Sequence, residues 1–156
     1  MRRVLLLGVL AVSVLFGAFG VAPLLAEEEG DGVTVVDLIA GQHYVAGEVV
    51  ITDGNGFVTV DVYPVNGWSI GDTHLYVGCE EPTKAAPGKF PYKYESSYVV
   101  DVDCEGDSIY IAFHAEVVGP DGAETAWAEG DLDFGKGWSM YLVYEPGEPE
   151  DPPEES

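Results

Sequence analysis

The chain has 156 residues, with 28 acids against six lysines and arginines and a formal net charge of −22. Charge of that sign is repelled by nucleic acid and by anionic lipid, which excludes DNA, RNA and peripheral membrane binding. Its physical meaning is solubility, a saline habitat or cation binding, set against the plainer reading of a solvated surface.

The chain opens Met1-Arg2-Arg3 and runs apolar from Val4 to Phe19, broken by Gly8, Ser13 and Gly17. Two cations before an apolar stretch form the n- and h-regions of a secretory signal. Ala26 is a small residue just before Glu27-Glu28-Glu29, so cleavage is expected after it and residues 1–26 read as a signal peptide built as a signal helix. The alternative is an uncleaved anchor over residues 4–25, because the apolar run approaches the roughly 20 residues that span a bilayer. Either way the remainder lies outside the cytoplasm, secreted or at the cell surface. Without residues 1–26 the chain has no arginine, and four lysines against 28 acids leave a net charge of −24. The absence of arginine excludes bidentate guanidinium clamps on phosphate or carboxylate.

No window beyond Ala26 carries a sustained 3.6-residue period. Period-two runs rich in Val, Tyr, Ile and Thr alternate instead with Gly, Asp, Asn and Pro. Strands are expected at Val33–Leu38, Glu48–Thr52 and Gly56–Tyr63, the last two joined by the hairpin signal Asp53-Gly54-Asn55-Gly56. Thr73–Cys79 follows, then a long loop, Glu80 to Lys93, with a short extended piece near Phe90–Tyr94. Ser97–Asp103, Ser108–Val118, Ala123–Ala128 and Trp138–Tyr144 complete the set. In the longest run Ile109, Ile111, Phe113, Ala115 and Val117 share one face, and Tyr110, Ala112, His114 and Glu116 share the other. Seven or eight short strands within residues 27–144 predict an all-β, antiparallel β-sandwich. Residues 145–156 hold six acids and four prolines and read as a disordered acidic tail.

Cys79 and Cys104 are the only cysteines. An even count in an exported chain favours a disulfide between them, the alternative being two buried thiols. A bridge there closes a loop of about 25 residues, worth on the order of 3 kcal/mol in the chain-entropy account.

Several pieces together resemble a known module. They are Asp37-Leu38-Ile39-Ala40-Gly41-Gln42, Gly67-Trp68-Ser69-Ile70, Asp72-Thr73-His74-Leu75, Pro87-Gly88-Lys89-Phe90-Pro91-Tyr92, Ile109-Tyr110-Ile111-Ala112, Glu124-Thr125-Ala126-Trp127 and Gly137-Trp138. Over residues 36–144 the chain resembles an uncharacterised extracellular β-sandwich module of secreted and surface-attached proteins of bacteria and archaea. It departs from that pattern in its acidity and its bare proline-rich tail. The resemblance implies a surface or matrix location, and it transfers no catalytic residue.

Three constellations have chemical content. Asp101, Asp103, Glu105 and Asp107 stand at positions 1, 3, 5 and 7 around Gly106, as in half of a calcium loop. The bidentate acid of position 12 is replaced by Ala112, and the plainer reading is an acidic strand end. His74 and His114, with Asp72, Glu116 or Glu124 beside them, are candidate transition-metal ligands if their strands adjoin. The alternative is two histidines packed between tyrosines and hydrogen-bonded to carboxylates. Trp68, Tyr92 and Trp127, with Tyr94 and Trp138, could stack on sugar rings, or else plug the ends of the core. Signatures of catalysis are missing: no Gly-x-Ser-x-Gly, phosphate loop or His-Glu-x-x-His occurs. The expectation is therefore a non-catalytic secreted or envelope-associated protein with a structural or adhesive role. The second expectation is a small module binding calcium or carbohydrate. The expected partners are a surface protein or polysaccharide, and no cofactor is expected beyond calcium.

Overall fold

The structure, a computed structural model, describes residues 32–106 and 108–146. The expected signal segment, Asp107 and all of the acidic tail except Glu145 and Pro146 lie outside the described residues. The described residues form ten strands in chain order: β1 (Val33–Ala40), β2 (Tyr44–Gly54), β3 (Phe57–Pro64), β4 (Ser69–Gly78), β5 (Tyr92–Lys93), β6 (Ser97–Asp101), β7 (Ile109–Gly119), β8 (Gly122–Ala128), β9 (Leu132–Asp133) and β10 (Met140–Tyr144). Eight of these correspond to the expected runs, and β5 and β9 are two-residue pieces. The described residues contain one 3-10 turn, Pro87–Lys89, and no helix long and apolar enough to cross a membrane.

Every ladder is antiparallel, as the short Gly- and Asp-rich turns require. Neighbours follow the order β5-β4-β7-β8-β1-β2-β3-β6, and β10 pairs with the start of β7. The ladder is continuous along that path. It is nearer a barrel than the two separate sheets expected from strand number.

The two ends of the path are one stretch of chain. Only Tyr94, Glu95 and Ser96 separate β5, on β4, from β6, on β3. Tyr94 turns the chain with φ 67°, and its N–H donates to Thr73 O at 2.9 Å. Ser96 O accepts from Val62 N–H at 3.0 Å. Beyond that crossing the β4–β6 seam is held by side chains. Tyr98 Oη donates to Thr73 Oγ1 (2.6 Å), which donates to Glu95 O (2.6 Å), and Glu95 N–H donates to Tyr98 Oη (3.1 Å). Further along, Cys79 and Cys104 form the expected disulfide, with Cα atoms 5.3 Å apart. Both seam links join residues 25 apart, so β4 and β6 run side by side in the same direction.

Alternation then sorts the side chains. Leu38, Ile51, Val58, Val60, Leu75, Ile111, Phe113 and Val117 point inward and fill the core to within 1 % exposure. The inward face of β7 is the one its alternation predicts. On the outside of β7, β8 and β10 a second apolar layer forms around Phe90, Ala112, Trp127 and Tyr141, joined by Tyr76, Tyr110, Phe134 and Trp138. Two loops cover it. The first, between β4 and β5, inserts Phe90 and is tied down by Tyr76 Oη donating to Glu80 O (2.7 Å) and Tyr141 Oη donating to Glu81 Oε1. The second runs from Glu129 through β9 to Trp138 along β10. Gly130 permits its close approach, since a Cβ there would lie 2.2 Å from Tyr141 O.

Candidate functional site

One row of the ladder crosses the covered outer face. Lys93 of β5 pairs with His74 of β4, which pairs with His114 of β7, then Trp127 of β8 and Ile39 of β1. Residues in one such row share a face, so both imidazoles stand outward and side by side. Their ring centroids are 5.5 Å apart. Trp127 meets His114 edge-on at 4.9 Å, and Tyr94 meets His74 at 5.6 Å. His114 is only 8 % exposed. Burial, with the neighbouring His74 as a smaller cause, lowers its pKa to about 4, so its ring is neutral near pH 7. Nδ1 of each ring is buried and has no hydrogen-bond partner. The histidines thus pack on aromatic rings, as the plainer reading expected, but no carboxylate joins them. Glu124, offered as a shared ligand, pairs with Val117, three positions along β7 from His114, and its carboxylate lies beside Gly41 instead.

A second feature is a groove of about 510 Å³ where the β1–β2 turn faces the loop before β10. Trp138 forms one wall, and Gln42, His43, Glu129, Asp131 and Asp133 add polar groups. The turn that supplies Gln42 has two left-handed residues, Gly41 (φ 53°) and Gln42 (φ 71°), closed by His43 N–H donating to Ala40 O at 3.0 Å. That geometry suits a right-twisted hairpin. It holds a long side chain where glycine or asparagine is usual, at a cost of about 1 kcal/mol. Across the groove Asp133 Oδ1 accepts from Gly135 N–H at 2.6 Å, which shapes the turn before Trp138.

No family model, curated protein or solved structure matches the chain.

The expected aromatic platform is not assembled. Trp127 is 6 % exposed beneath Phe90 and Phe134, at 6.2 and 5.7 Å, and offers no face to a ligand. It stands on the outer face of β8, and the two covering loops bury it. Tyr92 is half-buried against the core. Trp68 is half-buried, lies over Gly119, where a Cβ would stand 2.6 Å from the indole, and tilts against Tyr44 at 6.2 Å. These three residues therefore occupy different parts of the barrel. The concave aromatic position belongs to Trp138. Its signal in the sequence was the Gly130, Gly135 and Gly137 spacing of an acidic loop, which marks a folded-back segment without saying what it faces.

Asp101 ends β6 opposite Phe57, and Asp103 and Glu105 flank Cys104 with exposed side chains. Among the described residues no three His, Cys, Asp or Glu side chains gather as a metal-holding group. Asp37, Asp53, Glu81 and Glu124 are instead spread over β1, β2, the loop after β4 and β8. Of these, Asp53 accepts from Tyr144 Oη, and Glu81 from Tyr141 Oη. Each bond raises its tyrosine's pKa. For Tyr141 the hydrogen bond is the main cause, and the pKa rises to about 12. For Tyr144 burial is the main cause and Asp53 adds to it.

Proposed function

We propose that the chain is an exported, non-catalytic module of the extracellular space or cell envelope, with a structural or adhesive role. The observation that carries this reading is the disulfide between Cys79 and Cys104, which closes the one seam of the barrel that lacks a backbone ladder. A bond used in that way belongs in an oxidising compartment. It also consumes the only thiols. The resemblance over residues 36–144 to a surface module with a sandwich-like fold agrees with this reading. Cell fractionation with mass measurement of the mature protein tests it. The expected result is protein outside the cytoplasm with a mass two daltons below the reduced chain, and reduced cytoplasmic protein would refute it.

The groove favours a second reading within the same role, carbohydrate recognition. An indole beside an amide and three carboxylates offers a stacking face and acceptors for hydroxyls, which is what a sugar ring requires. Retention on immobilised neutral polysaccharides should fall at least tenfold in Trp138→Ala and not in Trp68→Ala. Equal retention of both variants would refute it.

A further inference from the structure

We infer that His74 and His114 together bind one divalent copper ion, each ring supplying one nitrogen. The pair is built by the ladder and does not depend on a loop, because the two residues are direct cross-strand partners in the middle of β4 and β7. A nitrogen ligand sits about 2.0–2.1 Å from a first-row metal. With the ring's own radius added, two imidazoles on one ion have centroids roughly 4.5 Å apart at a right angle and roughly 6.4 Å apart when opposed. The observed 5.5 Å falls inside that interval.

The second observation is the pair of buried Nδ1 atoms, neither with a hydrogen-bond partner. Buried polar atoms are nearly always satisfied, and two orphans on adjacent rings call for a common explanation. A metal between the rings satisfies both at once. The aromatic neighbours Trp127 and Tyr94 hydrogen-bond neither Nδ1.

The donor set selects the metal. Hard cations such as calcium and magnesium need six or more oxygens or near-ideal octahedra, and no carboxylate stands with the pair. Structural zinc takes four protein ligands. Imidazole nitrogens suit copper, which also stands at the top of the affinity order for nitrogen sites. The strongly negative chain adds a general attraction for cations.

The test is titration of the folded, metal-stripped protein with Cu(II), read by tryptophan fluorescence and electron paramagnetic resonance. Copper on this pair lies against Trp127, so part of the emission should quench saturably at one equivalent, with nitrogen hyperfine structure in the resonance spectrum. His74→Gln and His114→Gln should each weaken binding at least tenfold, and His43→Gln should leave it unchanged. His74 is only half-buried, so His74→Gln decides the matter even if His114→Gln fails to fold. Binding by His74→Gln as tight as by the parent assigns the copper to carboxylates or the terminal amine and overturns the inference. Absence of saturable quenching up to millimolar copper overturns it as well.

Discussion

Reduction of the Cys79–Cys104 disulfide should destabilise this domain far more than loss of an ordinary surface contact. The bridge closes a loop with sequence separation 25. In the chain-entropy account, a loop of that length loses about 12 cal/mol/K from the unfolded ensemble, or about 3.5 kcal/mol at 25 °C. For a domain of this size the entropy of unfolding is about 0.24 kcal/mol/K, so the melting temperature should fall by about 15 °C. The structure adds where the loss is felt. Elsewhere each strand of the path is held by backbone ladders, whereas the β4–β6 seam rests on the disulfide at one end and on Thr73, Glu95 and Tyr98 at the other. Amide exchange should therefore accelerate first in β6, while β7, flanked by β4, β8 and β10, stays protected. Thermal melting of the parent with and without reductant, beside a Cys79→Ala/Cys104→Ala variant, measures the first quantity. A melting point within about 3 °C of the parent, or uniform loss of exchange protection, would refute the reasoning.

Three further outcomes are expected. Tyr98→Phe removes the hydroxyl that closes the other end of the seam, leaving Thr73 Oγ1 without its donor and Glu95 N–H without its acceptor; a cost of about 1–3 kcal/mol should appear in urea unfolding, and an unchanged midpoint would contradict it. The pKa of His114 is lowered by burial, so the native state binds fewer protons than the unfolded chain below about pH 6.5. Stability due to this group is complete above that pH and declines toward pH 4, by a total on the order of 3 kcal/mol. In EDTA, His114→Phe should show a correspondingly flatter acid limb, and parallel curves would count against burial of a neutral ring. The pKa values of Tyr76, Tyr141 and Tyr144 are all raised, so three of the nine tyrosines should resist ionisation when the folded protein is titrated by phenolate absorbance. Asp53→Asn should bring Tyr144 part of the way back toward the ordinary range, and nine equivalent tyrosines would exclude both bonds.

The alternation in Ile109–Val117 sorted the residues of β7 onto the two faces that the structure shows, because in a strand parity is a local property of the backbone. Asp53-Gly54-Asn55-Gly56 marked the β2–β3 hairpin for an equally local reason, since few residues tolerate its turn. The even cysteine count, read with the expected signal segment, pointed to the pairing that the structure contains. Two-residue β9 escaped notice because it is too short to show a period and exists only where Gly130 lets the loop lie on β10.

What the sequence by itself determined is the class of secondary structure, the sorting of β7 into two faces, and the disulfide. Tertiary structure decided the rest. Parity says that His114 and Trp127 face away from the core, but it is silent on whether loops cover them. The answer rests on Phe90 and Phe134, 37 residues before and seven after Trp127. His74 and His114 are 40 residues apart, and only the β4–β7 register sets their rings side by side. The seam likewise depends on where β6 arrives after the whole barrel has curled. Local chemistry chooses strands and faces, while neighbours are chosen by a long-range register, and a site made of neighbours is legible only when that register is known.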